Sequence, residues 1–327
     1  MHSLFIITLA LAIFFSFWNG FSDAANAIST IVATKVLSPF KAVLLSAIGN
    51  FLGLLFGSAV AITIGKGIID TNLVDYELII SALVGGLIFD VATWFWGLPI
   101  SESHVLIGGL VGAGFVAGGF DAINKTAILN KVVLPMLASP VIAFLFSFIF
   151  ISLVLRLFLR FSTNKINPYF RKLQIVSSLF FSINHGANDG QKVVGILTAL
   201  LIQEGLLLTF SPPLWVIILV QLTIAIGTLF GGWKIVKTVA KKITHLRPYQ
   251  GFCAETGAAI VLYVSSVMGF PVSTTHAISG SIMGVGATRR TSAVRWKVAR
   301  GIVIAWFLTM PLSALLSAGV NLLIKNI

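Results

Sequence analysis

The sequence predicts an all-α protein that threads a membrane many times, with about 10–12 membrane segments arranged as two inverted-topology repeats containing broken helices. Three observations carry this. The 327 residues are 57% hydrophobic and only 10% charged, against roughly 25% charged in a typical soluble domain, and the mean hydropathy is +1.01. The apolar residues fall in long continuous runs, the pattern of membrane helices and not the alternation of a β-barrel. Two polar motifs also recur at matching places in the two halves.

The first half holds apolar segments near 3–37, 42–65, 77–97, 103–120 and 127–159. The run Leu4–Phe17 lacks a basic leader and an Ala-x-Ala cleavage site, and reads as a helix and not a signal peptide. After the polar stretch Ser162–Lys172 come 172–204, 212–236, 252–268, 272–287 and 298–324. A first membrane repeat over 1–160, a short cytoplasmic linker over 161–171 and a second repeat over 172–327 follow. Segments 3–37 and 172–204 exceed the roughly 20 residues of a simple span and enclose polar clusters, so a break is expected at each cluster. Segment 127–159 is also long and is expected to tilt or split.

Net charge of +12 could indicate nucleic acid, but the basic residues lie in short loops between apolar runs, where the positive-inside bias accounts for them. No nucleic-acid partner is expected. Lys165, Arg171 and Lys172, then Lys234, Lys237, Lys241, Lys242 and Arg247, then Arg289, Arg290, Arg295, Lys297 and Arg300 mark three cytoplasmic regions. Alternate threading puts Lys35 and Lys41 inside too. The acidic loop with Asp70, Asp75 and Glu77 falls outside, as do Gly205–Pro213 and both termini. The halves then have opposite topology in the cell membrane. The single Cys253 excludes an intramolecular disulfide and a multi-cysteine metal site.

The halves share sequence. Asn19-Gly20-Phe21-Ser22-Asp23 aligns with His185-Gly186-Ala187-Asn188-Asp189, 166 positions later. Gly97-Leu98-Pro99-Ile100-Ser101-Glu102-Ser103-His104 aligns with Gly269-Phe270-Pro271-Val272-Ser273-Thr274-Thr275-His276, 172 positions later, and Gly112 and Gly114 with Gly284 and Gly286. Paired Gly/Pro interruptions in corresponding segments point to a site at a repeat interface.

Ionisable residues inside a membrane cost about 2.5–3.5 kcal/mol each on insertion scales, so a cluster of them needs a reason. Asp23 and Asp189 offer carboxylate oxygens, and Asn26, Asn188 and Gln191 offer amide carbonyls. Such hard oxygen ligands suit Na⁺ or a proton, with Na⁺ placed at Asp23, Asn26, Asn188 and Asp189. The plainer alternative is that they cap broken helix ends. The Pro-x-Ser segments suggest an anion cradle: proline fits a first helical turn, and Ser101, Ser103, Ser273, Thr274 and Thr275 set hydroxyls beside unpaired backbone N–H groups. The alternative there is ordinary N-capping and close helix packing. His104 and His276 close these motifs, as structural or ligand-facing residues. Glu255 and Asp90 are candidate coupling carboxylates that could equally pair internally, and Lys192 could neutralise Asp189 or attract an anion. The glycines at 108, 109, 112, 114, 280, 284 and 286 read as close-packing positions, and Trp94 and Trp96 as interfacial or packing aromatics. No zinc spacing, Walker loop or nucleophile–base pair is present, so no enzyme activity and no cofactor are expected.

The stretches WNGFSDAANAISTIVATKVLSP, GLPISESHVLIGGLVGAG, HGANDGQKVVGIL and ETGAAIVLYVSSVMGFPVSTTHAISGSIMGVG resemble the inorganic phosphate transporter (PiT) family, in the family's order and across both halves. The resemblance implies inverted repeats, coupling to Na⁺ or H⁺, and phosphate held between the repeats. By position it implies cation-site roles for Asp23, Asn26, Asn188, Asp189 and Gln191, and phosphate-binding roles for Ser101, Ser103, Ser273, Thr274 and Thr275, with His104 and His276 beside them. It also implies a functional role for Glu255. Two features depart from the family. Glu102 stands where the second repeat has Thr274, and would repel phosphate unless protonated or turned away. The central linker is short. The expectation is a secondary transporter importing inorganic phosphate with Na⁺ or H⁺ by alternating access, with a sulfate permease or an ion channel as the rival readings. Its partners would be phosphate and the lipid bilayer, and the sequence is compatible with a homo-oligomer.

Overall fold

A computed structural model of the chain describes residues 2–70, 73–242, 245–288 and 291–326. Arg289 and Arg290, used in the charge argument, lie outside the described residues, as do the side chains of Lys241 and Lys242. The elements are α1 (His2–Ala33), α2 (Pro39–Leu52), α3 (Ala59–Gly67), α4 (Tyr76–Trp96), α5 (Glu102–Gly118), the short α6 (Lys125–Ala127) and α7 (Leu134–Leu157). The second half supplies α8 (Thr163–Gln203), α9 (Leu214–Phe230), α10 (Trp233–Lys242), α11 (Pro248–Val267), α12 (Thr274–Ala287) and α13 (Trp296–Lys325). One isolated bridge, Ile69 to Ile123, is the only β pairing among the described residues.

Five helical stretches are long and apolar enough to cross a membrane, or seven if each of two bent pairs counts once. The difference from about 10–12 segments has a physical cause. Helices α2, α3 and α12 have 14, 9 and 14 residues, too short to span alone, while α8 and α11 carry buried polar residues that dilute their apolar character.

The expected breaks lie elsewhere. Both α1 and α8 run as continuous helix through their polar clusters. With 41 residues, α8 is about 60 Å long and absorbs most of the stretch expected as a linker, since residues 163–171 form its first turns. The breaks fall between α2 and α3 and between α9 and α10, each pair bent by 74°. The long fifth segment is not split: a π-helical turn over Ile128–Val133 lies near its start, and Lys125–Leu157 runs as one helical stretch of 33 residues.

Packing places corresponding elements in corresponding company. Helix α1 packs on α9 and α10, and α8 on α2 and α3. Helix α5 packs against α4 and α13, and α12 against α11 and α7. The close approaches need glycine: a Cβ on Gly112 would lie 2.0 Å from the Ala314 carbonyl oxygen, and one on Gly284 2.3 Å from that of Phe144.

One feature of the alternate threading does not hold. It puts the turn before α5 inside and the turn before α12 outside. Yet the Ser103 Oγ donates to the Val272 carbonyl oxygen at 2.9 Å. The two turns meet, so they lie at one depth.

Candidate functional site

Helices α5 and α12 begin alike because their sequences do. Ser101 is the N-cap of α5, its Oγ accepting from the His104 N–H at 3.2 Å. Ser273 caps α12 through the His276 N–H, also at 3.2 Å. The next two amides of each helix, Glu102 and Ser103, and Thr274 and Thr275, have no intrahelical carbonyl to bond, as at any helix start. Two buried helix N-termini therefore converge, each with hydroxyls and the positive end of its dipole.

The middles of α1 and α8 face them. Thr274 Oγ1 lies 3.2 Å from Asp23 Oδ2 and 3.4 Å from Asp189 Oδ2, so one hydroxyl bridges the carboxylates of the two halves. Thr275 Oγ1 lies 3.5 Å from Asp23 Oδ1. Asn26 Nδ2 donates to Thr275 Oγ1 at 2.8 Å, and its Oδ1 is buried without a partner. The Lys192 ammonium bonds Asp189 Oδ1 directly and donates to Ser103 Oγ at 2.5 Å. The Val272 carbonyl lies 3.5 Å from it.

His185 completes the cluster, and a chain of hydrogen bonds determines its tautomer. Thr228 Oγ1 spends its proton on the Ile224 carbonyl at 2.9 Å, so it accepts from Asn50 Nδ2 at 2.8 Å. That orients the Asn50 Oδ1 toward His185 Nδ1, 2.9 Å away, which therefore donates. His185 Nε2 is left facing Asp189 Oδ2 at 3.3 Å and Asp23 Oδ2 at 3.9 Å. One ligand atom each from Asp23, His185 and Asp189 lies within 4.8 Å of the others, and all three residues are buried. Three acceptors turned on one another need a proton or a cation between them.

Other expected site residues stand apart. Gln191 accepts from the Val60 N–H at 2.9 Å and reaches the Phe56 carbonyl at 3.4 Å, so both ends of its amide hold the break before α3. Asn188 Nδ2 donates to Ser266 Oγ at 3.1 Å and lies 3.4 Å from the Phe270 carbonyl, while its Oδ1 is buried and unpartnered. The rings of His104 and His276 lie 4.8 Å apart with their planes inclined by 38°, and His276 lies 3.9 Å from Trp306. Both rings border an apolar cavity of about 1060 Å³ between α7 and α13. Their backbone amides are taken by the Ser101 and Ser273 caps, and their rings pack beside the cradle.

Glu102 is turned away: its Oε1 accepts from Ser22 Oγ at 2.6 Å, and its carboxyl lies beside that of Asp90. Glu255, fully buried on α11, accepts from Thr30 and Ser177 at 2.5 Å each and from Gln174 at 3.2 Å, joining α1, α8 and α11. Trp94 packs on Trp18 and Phe21 and lies under the Lys234 ammonium at 4.2 Å, whereas Trp96 is exposed.

A charged site enclosed by helices of both halves, in a helical protein of several membrane spans, is the organisation of a solute transporter. The chain belongs to the phosphate transporter family, whose model matches residues 19–317. It is 50% identical over 312 residues to a probable low-affinity inorganic phosphate transporter of Rhizobium meliloti (strain 1021), covering 95% of this chain and 93% of that one. It is 40% identical to a protein of the same description from Bacillus subtilis (strain 168), over 97% of each chain. Among solved structures it matches a sodium-dependent phosphate transporter with a TM-score of 0.89 at 28% identity, over 99% of this chain and 100% of the other. These relatives are transporters, and the chain is a membrane transport protein, not an enzyme.

Proposed function

We propose that the protein imports inorganic phosphate together with Na⁺ or H⁺, binding the anion at the N-termini of α5 and α12 and the cation at Asp23, Asp189 and His185. The observation that carries this reading is the set of facing acceptors: a bare imidazole nitrogen and two carboxylates point at one another beneath two hydroxyl-rich helix starts. Such a site binds a cation or a proton before it tolerates an anion, so each ion favours the other's entry. The Asn26 and Asn188 carbonyl oxygens, buried without donors, fit Na⁺ as further hard ligands. The sodium dependence named for the solved relative supports Na⁺.

Phosphate is favoured over sulfate by the same carboxylates. A phosphate carrying a proton can donate it to Asp23 or Asp189, whereas sulfate offers these acceptors only more oxygen lone pairs. The matched packing of α1 with α9 and α10 and of α8 with α2 and α3 supports inverted repeats over 1–160 and 172–327. In this topology the α4–α5 and α11–α12 pairs are hairpins that enter and leave the membrane from one side, their turns meeting near its middle. Rocking one repeat against the other would expose the site to each side in turn.

The deciding experiment is radiolabelled phosphate uptake into proteoliposomes under imposed Na⁺ or pH gradients, with sulfate as competitor. Accumulation above equilibrium under one gradient, resistant to sulfate, is expected. Downhill flux indifferent to both gradients would make the protein a channel, and competition by equimolar sulfate would make it a sulfate permease. In the same assay Asp189→Asn is expected to abolish driven uptake while leaving membrane insertion intact; uptake at the wild-type rate would overturn the ion assignment.

A further inference from the structure

The two halves are not equivalent at one position. The offset of 166 that pairs Asp23 with Asp189 pairs Asn26 with Lys192, and the offset of 172 pairs Ser103 with Thr275. The structure honours this pairing in its contacts. Asn26 Nδ2 donates to Thr275 Oγ1 at 2.8 Å, and Lys192 Nζ donates to Ser103 Oγ at 2.5 Å. Each half thus builds the same triangle: an aspartate, a residue one helical turn later, and a hydroxyl on the opposite half's hairpin. In the first triangle the middle member is a neutral amide whose Oδ1 is buried with no partner. In the second it is an ammonium, 2% exposed, bonded to Asp189 Oδ1 and Ser103 Oγ with the Val272 carbonyl at 3.5 Å.

Resting on the cation-coupled reading above, we infer that the Lys192 ammonium is a resident cation that fills the second repeat's ion site, leaving this transporter one mobile monovalent cation site per chain. A carboxylate, a hydroxyl and a backbone carbonyl form an oxygen shell, which a sodium ion accepts as readily as an ammonium. The ammonium is tied to its helix, so it neither leaves with the substrate nor enters with it. Its tether also explains why it serves only half the cluster. It takes Asp189 Oδ1, whereas Asp189 Oδ2, Asp23 and His185 Nε2 remain on the other side as mutual acceptors. Glu102, which accepts from Ser22 Oγ, and Asp90 beside it are the remaining acidic groups near the cluster, and the ammonium bonds neither. The exchange of amide for ammonium therefore changes the number of ions moved per phosphate while the oxygen framework of both triangles stays in place.

The test counts bound sodium. Purified protein, saturated with inorganic phosphate, is equilibrated with radioactive sodium, and the bound ion per folded chain is measured. Wild type is expected to bind at most one sodium, and none where its mobile cation is a proton. Lys192→Asn restores in the second triangle the amide of the first, and is expected to bind one sodium more than wild type. Adding Asp189→Asn to that variant should remove the gain. Two sodium ions on wild type would overturn the inference without recourse to any variant, and so would a folded Lys192→Asn protein with the wild-type count. Phosphate uptake in proteoliposomes runs alongside. If wild type fails to accumulate phosphate under either gradient, the transport reading fails, while the sodium counts still judge the role of Lys192.

Discussion

At the scale of single residues, the useful distinction is between groups that face the site and groups that set their geometry. Asn50 belongs to the second kind. It touches neither carboxylate, yet its amide, oriented by Thr228, determines which nitrogen of His185 carries the proton. Such supporting partners of a ligating histidine are worth about 10–100-fold in ion affinity. Asn50→Ala is therefore expected to raise the coupling-cation concentration needed for half-maximal uptake by about that factor, with the thermal midpoint in detergent little changed. An unchanged cation dependence would show that the tautomer is not set through Asn50. Asp23, Asp189 and the Ser/Thr pairs were legible in the sequence because they recur at a constant offset, and Asn26 through its nearness to Asp23. His185, Asn50 and Lys192 were harder to assign. His185 has its repeat counterpart in Asn19 and Lys192 in Asn26, so identity is lost at both positions, although the offset still pairs them. Asn50 is one amide in an apolar helix, and only the packing of α2 against α8 and α9 gives it a partner. Gln191 misled for the opposite reason, since adjacency to Asp189 in sequence points its side chain to another face of α8.

At the scale of elements, apolar runs located nearly every helix, and the errors lie in where helices stop. Polar residues in an apolar run suggested a break in α1 and α8. Instead, hydroxyls on neighbouring helices accept from the Asn26 and Asn188 side-chain amides, and the backbone stays helical through both clusters. The real breaks before α3 and α10 contain few charges. Gly231, at φ +60° between α9 and α10, carries the turn signal there, and the Gln191 amide holds the turn before α3. Glycines that permit close contact were legible and make a sharp prediction. In Gly284→Ala the new methyl meets the Phe144 carbonyl, a backbone atom with little freedom to move. A loss of about 1–3 kcal/mol is expected from overpacking. Gly301→Ala on α13 has open space around it, and should be neutral or stabilise by up to about 1 kcal/mol. Thermal unfolding of the two variants in detergent micelles separates these outcomes, and equal midpoints would count against the tight α12–α7 seam.

At the scale of the whole molecule, charge alone predicted which loops share a side of the membrane, and several contacts between distant loops agree with that division. The Arg171 guanidinium donates to the Lys35 carbonyl at 2.9 Å, joining two regions assigned to the cytoplasm. On the other side Lys66 lies over Phe210 at 5.7 Å, and the Asp70 N–H donates to the Ala122 carbonyl at 3.0 Å. Only the turns before α5 and α12 violate the division, and re-entrant hairpins remove that conflict without changing the side of any other loop. Hydropathy does not separate such hairpins from crossing spans, because an apolar helix that returns and one that crosses have the same composition. The resulting orientation is open to a direct test. Cys253 is buried, so the native chain offers a quiet background for single-cysteine reporters. Leu208, 97% exposed in the loop after α8, is assigned outside, and Lys165, exposed at the start of α8, is assigned to the cytoplasm. On intact cells a membrane-impermeant thiol reagent should label Leu208→Cys at once and Lys165→Cys only after permeabilisation. The reverse order would invert the orientation, and equal labelling of both from outside would remove the opposed topology on which the two-repeat mechanism depends.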